Sequence, residues 1–594
     1  NGQLSWSVPA DTWRIMLFVC VPDGAGNLVD YLDPEAVKKF ISLTYEQYYS
    51  AFPEHFGKTI DSAFYDEPTF HWVQGGRAWT PGFNREFERR HGYNPALLYP
   101  ALWYDIGPDT AAARNLLFGL RAELFSRGFI KTVADWCQNH GIELTGHVDQ
   151  EEIINPVGLC GDLIKTFEHQ PIPGLDQIFA YDRGSRMYKL ISSAAVNYGR
   201  RRVMSECYGA MQLPVANLYR EAMDQFAKGV NLMVPHAVWY STNSIVFPPE
   251  LSWRTEPYAS ALPAYNEYIG RLQCILQHGR PVVDIAVLYP IAGLQAAYHF
   301  GVGDPYHGGV IPEWADYMTV GELLSLDLRQ DFTYLHPETL DGRCRVVDNT
   351  LRLEHPEMCQ VYRVLILPGT TTISAANMAK IQQFFDAGGC VIATTRLPDQ
   401  SAEIGLTETV RRGIRHLFGE ETARMPHEPP RNLQTTASST ERSNVFAPNN
   451  PSVRSGSAGR LTVNRNNRGG AAWFIEHPDV ANLGRVLSEA LPTPDVAWPH
   501  QPRVQGGHLT YLHKHIAGRE FYFFANSSDT PVTTPIRLRG RMSLERWDPH
   551  RGCILPQPVE LNGNVTIVQL ELSPLSSVFL VGKENEADAK YNRR

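Results

Sequence analysis

The sequence predicts an α/β protein built from a TIM (β/α)8-type barrel, an open α/β domain and a C-terminal antiparallel β-sandwich. Three observations predict this architecture. Short apolar runs alternate with helical segments over residues 1–280, as in a parallel barrel. A second alternating region follows over residues 281–500, and residues 501–583 alternate apolar and polar positions between turns, which is typical of a sandwich. We expect a polar tail at 584–594.

Composition narrows the partners that the protein can have. The 594 residues carry a net charge of −9, with 43% apolar and 20% charged residues, which is ordinary for a globular protein. The acidic balance argues against nucleic acid and anionic membranes as partners, since both attract basic patches. No apolar run reaches the 18 residues that a membrane span needs. The nine cysteines contain no C-x-x-C pair and are odd in number, so they indicate neither a zinc site nor a disulfide framework.

The N-terminal residues Asn1–Pro9 lack the basic and apolar regions of a signal peptide. We expect further sequence upstream, which could complete the barrel and carry a secretion signal. The expected location is secreted or periplasmic.

Strand and helix candidates alternate through the barrel region at roughly 30–50 residues per unit. The Asp33-Pro34-Glu35 sequence indicates a helix start, because it places an N-cap, a proline and an acid in order. Apolar runs predict strands at Trp13–Val21, at Ile60–Tyr65 and within 141–148, 173–179, 202–207 and 230–237, and helices are predicted at 109–140, 185–199 and 215–228.

The second region reads as an open, doubly wound sheet, with strands at 281–289, 362–369 and 388–394 and a helix at 374–386. It contains neither a G-x-G-x-x-G turn nor a P-loop, so no organic cofactor is expected. Residues 427–470 are rich in Pro, Asn, Ser and Arg and predict a loop or a partly disordered stretch, and a helix follows at 479–491. An oligomer could form through this domain.

Two predicted strands end in glutamates, Glu67 and Glu206. A buried carboxylate is costly unless it is paired or used. Acids at the carboxyl ends of two barrel strands form the pair that a glycosidase needs, one to protonate the leaving oxygen and one to attack or to activate water. Asp66 is a third candidate, although neighbours on a strand point to opposite sides. The alternative is that these acids form structural ion pairs.

Other polar residues at the strand ends are candidates for binding. Asp149, Glu151 and Glu152 follow a predicted strand, where they could bind sugar hydroxyls, supply Ca2+ ligands or form a solvated loop. The substrate-binding candidates are His147, Glu151, His169, Asp176, Tyr208, His236 and Trp239, and the metal-binding candidates are Glu152 and Glu168. The alternatives are a rigid turn around Gln170–Gly174 and a Trp239 that anchors the core.

Several of these segments resemble the α-L-rhamnosidases of glycoside hydrolase family 106 and related bacterial glycoside hydrolases. The resemblance rests on Val29–Val37, the strand ending in Asp-Glu-Pro, Thr145–His147, Ile172–Asp176, Ser205–Glu206 and Gly229–His236, with Phe521–Asn526 and Glu545–Pro549 similar to their C-terminal β domain. It implies an inverting, exo-acting hydrolase of terminal rhamnose on a plant or microbial glycan, with a bound Ca2+.

The sequence departs from the family at the first acid, which the family places three residues after an aspartate and where Thr69 stands here. The Asp-Glu-Pro form is similar to retaining barrel glycosidases, including β-galactosidases with an amidotransferase-like second domain. We predict an α-L-rhamnosidase with Glu67 as general acid and Glu206 as base or nucleophile. The alternatives are a retaining β-glycosidase and a non-catalytic carbohydrate-binding protein.

Overall fold

The computed structural model describes residues 5–22, 28–178, 186–210, 212–301, 303, 306, 309–423 and 459–584. Over these residues the chain is a mixed α/β protein with several separate sheets. None of the helices found there is both long and apolar enough to cross a membrane.

Five short parallel strands carry the N-terminal region: β1 (Ser62–Tyr65), β2 (Glu143–Gly146), β3 (Gly174–Gln177), β4 (Met204–Cys207) and β5 (Leu232–Pro235). β1 pairs with β2, and β4 lies between β3 and β5. The two sheets approach each other where the Ile172 N–H donates to the Leu144 carbonyl at 3.3 Å. The flanking helices are Pro34–Leu43, Tyr45–Ala51, Phe83–His91, Thr110–Phe125, Thr132–Asn139, Leu163–Thr166, Met187–Tyr198, Val215–Ala227 and Tyr258–Leu276, and a π-helical segment, Ser126–Lys131, joins two of them.

The predicted helix start at Asp33 is confirmed. Its carboxylate accepts the Glu35 N–H at 3.0 Å, and Pro34 occupies the first helical position. The five predicted strands from Ile60 onward and the three predicted helices are also confirmed, with shorter strands than the apolar runs suggested.

The strand predicted at Trp13–Val21 is wrong. These residues have no regular structure, and Ile15 and Leu17 are 67% and 86% exposed. A strand needs a neighbour for its backbone hydrogen bonds, and the described residues provide none here. Only Phe18 packs inward, against Trp103 with ring centroids 5.4 Å apart. The described part of 1–280 therefore holds five parallel strands and not a closed ring of eight.

A six-stranded sheet follows, as the doubly wound pattern predicted. Its order is Leu461–Arg465, Ala471–Ile475, Cys390–Thr394, Val364–Leu367, Ile285–Leu288 and Phe332–Leu335, and only the first strand runs antiparallel to its neighbour. Its helices are Ile291–Ala297, Tyr317–Glu322, Pro337–Arg343, Ala375–Asp386, Thr407–Phe418, Glu420–Ala423 and Val480–Ala490. Smaller sheets are formed by Cys344–Val347, Thr350–Leu353 and Gln360–Tyr362, and by Thr372–Ile373 and Gln400–Ser401.

The loop predicted at 427–470 is wrong at its end, because Leu461–Arg465 pairs with Ala471–Ile475 as a hairpin. The part before residue 459 lies outside the described residues. The tail from 585 lies outside them as well.

The C-terminal region forms two antiparallel sheets, as predicted. One contains Val496–Ala497, Val532–Arg539, Val565–Leu572 and Glu560–Asn562, and the other contains Cys553–Gln557, Met542–Asp548, Ser576–Glu584, Arg519–Asn526, Leu509–Ile516 and Arg280–Pro281. The strand Arg280–Pro281 comes from the end of the barrel region. Its pairing with Leu509–Ile516 links the N-terminal region to the C-terminal sheets through backbone hydrogen bonds.

Candidate active site

The polar strand ends meet because the strands are parallel. Tyr65 of β1 lies opposite Gly146 of β2, so Asp66 and His147 follow at the same edge. Asp176 of β3 lies opposite Glu206 of β4. Ligands of open and closed parallel sheets bind at this carboxyl edge.

A left-handed backbone at Glu67 ends the first strand, with φ of 45°. This conformation is uncommon for residues other than glycine and marks functional sites more often than chance. It breaks the alternation that would send neighbouring side chains to opposite faces. Asp66 and Glu67 consequently both sense the charges of His147 and Asp149.

His147 lies at the centre of the carboxylates. Its Nε2 is 2.8 Å from Glu206 Oε2 and 3.3 Å from Asp66 Oδ1, and its Nδ1 is 3.0 Å from the Val148 carbonyl oxygen. Burial alone would lower the pKa of His147, but the hydrogen bond to Glu206 and the charges of Glu151 and Asp176 raise this pKa to about 10. Both ring nitrogens face acceptors, so the ring is an imidazolium at neutral pH.

Glu67 has the properties of a general acid. Burial raises its pKa to about 7, and the charges of Asp149, Asp66 and Asp176 raise it as well. A carboxyl group with this pKa holds a proton near neutral pH and can release it to a leaving oxygen.

Two further acids next to His147 are also shifted. Burial raises the pKa of Asp176 to about 6, although one of its oxygens accepts the Ile178 N–H at 2.9 Å. Glu151 is 2% exposed, and burial raises its pKa well above the ordinary value despite His147 Nδ1 at 3.8 Å. Glu152 lies beside it and contributes a like charge.

His71 and Asp149 form a pair that the sequence did not assign. His71 Nδ1 lies 2.7 Å from Asp149 Oδ2, and both side chains are largely buried. The His71 ring contacts Trp72 and Tyr306, with centroids 4.3 and 5.0 Å away. The aromatic composition of residues 70–79 was the available signal, but nothing in it pointed to Asp149, 78 residues later.

His236 lies near the site, since its charge acts on Asp66. Its ring contacts those of Trp239 and Phe247, at 5.5 and 6.0 Å. Trp239 is held behind it, because its backbone N–H donates to Glu250 Oε2 at 3.0 Å and Glu250 accepts from Arg254.

Three predicted site residues are not brought to this edge, and their assignment to the site is corrected. Tyr208 is buried, and its hydroxyl lies 2.6 Å from that of Tyr265 and donates to the Leu218 carbonyl at 2.9 Å. Glu168 and His169 precede β3, at the opposite end of the strand from Asp176, and Glu168 lies 3.8 Å from the Lys165 ammonium. The Lys165 ammonium would repel a metal ion bound at Glu168.

Thr69, which stands where the family places its acid, cannot replace a carboxyl group. It is fully buried, and its hydroxyl donates to the Leu159 carbonyl at 3.2 Å. The carboxyl groups of this turn are those of Asp66 and Glu67.

Among the described residues, one group has a spacing that could hold a metal ion: Asp66, His147 and Glu206, whose donor atoms lie within 4.8 Å of one another. Ca2+ takes six to eight oxygen ligands, whereas this group offers two carboxylates and a ring that is protonated. It does not fit Ca2+.

Neither glutamate of the predicted pair has a basic side chain from arginine or lysine as an ion-pair partner within the described residues. Glu206 pairs instead with the His147 ring.

A family model described as alpha-L-rhamnosidase matches residues 1–301, half of the chain. The chain belongs to glycoside hydrolase family 106. The resemblance found in the sequence is thereby confirmed for the segments between Val29 and His236, which all lie within the matched range.

Solved structures share the fold. A rhamnosidase from Novosphingobium sp. PP1Y superposes with a TM-score of 0.66 at 20% identity, over 94% of this chain and 48% of that one. A β-galactosidase from Bacillus circulans sp. alkalophilus gives 0.62 at 11% identity, over 93% of this chain and 83% of that one. A curated relative from Formosa agariphila, provisionally named a β-glucuronidase, is 23% identical over 314 residues, which are 48% of this chain and 26% of the relative. This family 106 chain therefore spans about half the length of the rhamnosidase and a quarter of the curated relative.

Proposed function

We propose that the protein is an exo-acting glycoside hydrolase that removes terminal α-L-rhamnose from a plant or microbial glycan. Membership of family 106 supports the sugar. The observation that supports this reaction is the raised pKa of the Glu67 carboxyl group, about 7. The second carboxyl group, that of Glu206, lies at the same edge of the strands and is hydrogen-bonded to the His147 imidazolium. Glycoside cleavage needs one carboxyl group that holds a proton for the leaving oxygen and a second one on the other side of the sugar.

In this mechanism Glu67 protonates the glycosidic oxygen as the bond to the anomeric carbon breaks. Glu206, on the other side of the sugar, removes a proton from the attacking water. The charged His147 donates to Glu206 and so holds that side chain in place for the reaction. Asp66 and Asp176 place negative charge near the anomeric carbon, which becomes positive in the transition state.

We propose inversion as the stereochemical outcome, following the family. A retaining reaction would instead use Glu206 as a nucleophile and pass through a glycosyl-enzyme ester.

We propose that the protein binds the Ca2+ ion that the family resemblance implies, and we assign this ion no catalytic step. Glu152, beside the buried Glu151, stays as a candidate ligand, and no proton or bond is assigned to the metal.

We further propose that β1–β5 belong to a (β/α)8-type barrel at 1–280, followed by an amidotransferase-like open domain at 281–500 that could form an oligomer contact and a sandwich at 501–583. The likeness to a β-galactosidase over most of both chains supports this order. Because such glycans lie outside the cell, we propose a secreted or periplasmic location, which fractionation of the source cells would test.

The function is tested by screening the protein against nitrophenyl glycosides of both anomers of rhamnose, galactose, glucuronic acid and fucose. We expect turnover of the α-L-rhamnoside above all others. Turnover of a β-galactoside or β-glucuronide in its place would contradict the proposal. Binding of rhamnosides without turnover of any substrate would favour the non-catalytic carbohydrate-binding protein.

A further inference from the structure

A cavity lies where the three regions of the chain meet, away from the carboxyl edge of the strands. Its wall includes the helix Met187–Tyr198, residues 200–203 before β4, Pro281 and Val283, and the strand Leu509–Ile516. The volume open to the centre of a water-sized sphere is about 40 Å³. One water needs about 10–15 Å³ by this measure. The cavity therefore has room for about three waters, or for one small polyatomic ion in their place.

The charge of this wall is of one sign. Four cationic side chains line it, Lys189, Arg200, Arg201 and Lys514, and no aspartate or glutamate does. Lys189 has its counter-ion behind the wall, with Nζ 2.5 Å from Asp331 Oδ1. Arg201 reaches outward to Glu357, at 2.7 Å.

The other two cations have no carboxylate partner within the described residues. Lys514 is 5% exposed, and its Nζ donates to the Leu276 carbonyl oxygen at 2.6 Å, which leaves two N–H groups. Arg200 donates from Nη2 to the Glu168 carbonyl oxygen at 2.9 Å, while its buried Nε has no hydrogen-bond partner. A buried cation without a counter-charge is strongly disfavoured.

The neutral polar groups of the wall do not supply the missing partners of Lys514 and Arg200. Ser192 donates to the Lys228 carbonyl at 2.7 Å, Ser193 to that of Lys189 at 2.5 Å, and the Asn231 amide to those of Arg201 and Leu276. These three side chains are already engaged with backbone, whereas Lys514 and Arg200 keep free N–H groups. Donors of this kind bind oxyanions through charge-assisted hydrogen bonds.

We propose that this cavity binds one small tetrahedral oxyanion, of the inorganic phosphate or sulfate class, with Lys514 and Arg200 as its cationic contacts. The anion would supply acceptors to the N–H groups that lack them. It would also join a residue of the sandwich to a residue of the barrel region, and so stabilise their contact. Burial, and the charge of Arg201, lower the pKa of Lys514 to about 7, and an anion beside it would favour its charged form.

The test is a calorimetric titration of the protein with inorganic phosphate at pH 6.5 and constant ionic strength, repeated with chloride alone. We expect saturable binding of one equivalent of phosphate. The variants Lys514→Met and Arg200→Gln should each weaken binding about tenfold or more, the effect of losing one charged hydrogen bond. Lys39→Met, at an exposed lysine of the first helix, is the matched control and should bind as the parent does.

Phosphate should also raise the thermal unfolding midpoint of the parent and of Lys39→Met but not that of Lys514→Met. The proposal is overturned if the parent shows no saturable phosphate binding, if chloride binds equally well, or if Lys514→Met binds like the parent. Should Lys514→Met fail to fold, the parent titration and Arg200→Gln decide the question by the same criteria.

Discussion

His147 Nε2 lies 2.8 Å from Glu206 Oε2 at the carboxyl edge of β2 and β4, although the two residues are 59 positions apart in the chain. The other ring nitrogen faces the Val148 carbonyl, so the ring can donate at both ends. This contact fixes the direction of the Glu206 side chain. The following predictions depend on it and on the contrasting environment of Glu67.

Replacing His147 by Gln should reduce kcat by about 10²-fold, because Glu206 loses the charged donor that orients it. His169→Gln, at the far end of β3, is the control and should keep the parent kcat. A parent-like kcat in folded His147→Gln would show that the contact with Glu206 does not serve the reaction.

The activity should decline above about pH 7, where Glu67 loses the proton that the leaving oxygen needs. Asp149→Asn removes a charge that raises this pKa, so the alkaline limb should move to lower pH, by up to about one pH unit. Asp135→Asn, at an exposed carboxylate of the helix Thr132–Asn139, is the matched control. An unchanged alkaline limb in Asp149→Asn would contradict the effect of the Asp149 charge on the pKa of Glu67.

The first product released should have the anomeric configuration opposite to that of the substrate. Proton NMR spectra taken during the first minutes of hydrolysis of an α-L-rhamnoside distinguish β-L-rhamnose from the α anomer before they equilibrate. Initial accumulation of the α anomer would establish retention and make Glu206 a nucleophile.

The contact between the open sheet and the sandwich depends on a buried ion pair. Arg539 Nη1 lies 3.0 and 2.8 Å from the two carboxylate oxygens of Asp284, which is 6% exposed. Arg539→Met leaves this carboxylate buried without its main partner and should lower the free energy of unfolding by about 3–5 kcal/mol. Arg551→Met, at an 83% exposed side chain, should change it by less than about 0.5 kcal/mol. Equal thermal midpoints for the two variants would contradict the role given to the pair.

The elements that the sequence predicted well are those whose signals are local. Three consecutive residues, Asp33 to Glu35, indicate the helix start. The strands near Glu67 and Glu206 are apolar runs that end at an acidic residue. Apolarity alone was misleading at Trp13–Val21, because a strand also needs a partner and the described residues provide none.

The candidate site was predicted in part for the same reason. Parallel strand ends bring His147, Asp176 and Glu206 together, and a strand pattern is enough to foresee it. Tyr208 follows Glu206 by two positions, but its positive φ of 76° and its hydrogen bond to Tyr265 send it into the core. Neither the backbone turn nor a contact 57 residues away can be read from a single sequence.

The most direct test of the central claim compares the hydrolysis of nitrophenyl α-L-rhamnoside by the parent protein, Glu67→Gln and Glu206→Gln, with thermal unfolding to show that all three are folded. We predict that each variant loses at least about 10²-fold in kcat/KM. We also predict that the loss in Glu67→Gln is smaller for rhamnosyl fluoride, whose leaving group needs no proton. Full activity of either folded variant on a rhamnoside that the parent cleaves would contradict the assignment of Glu67 and Glu206 as the acid and base.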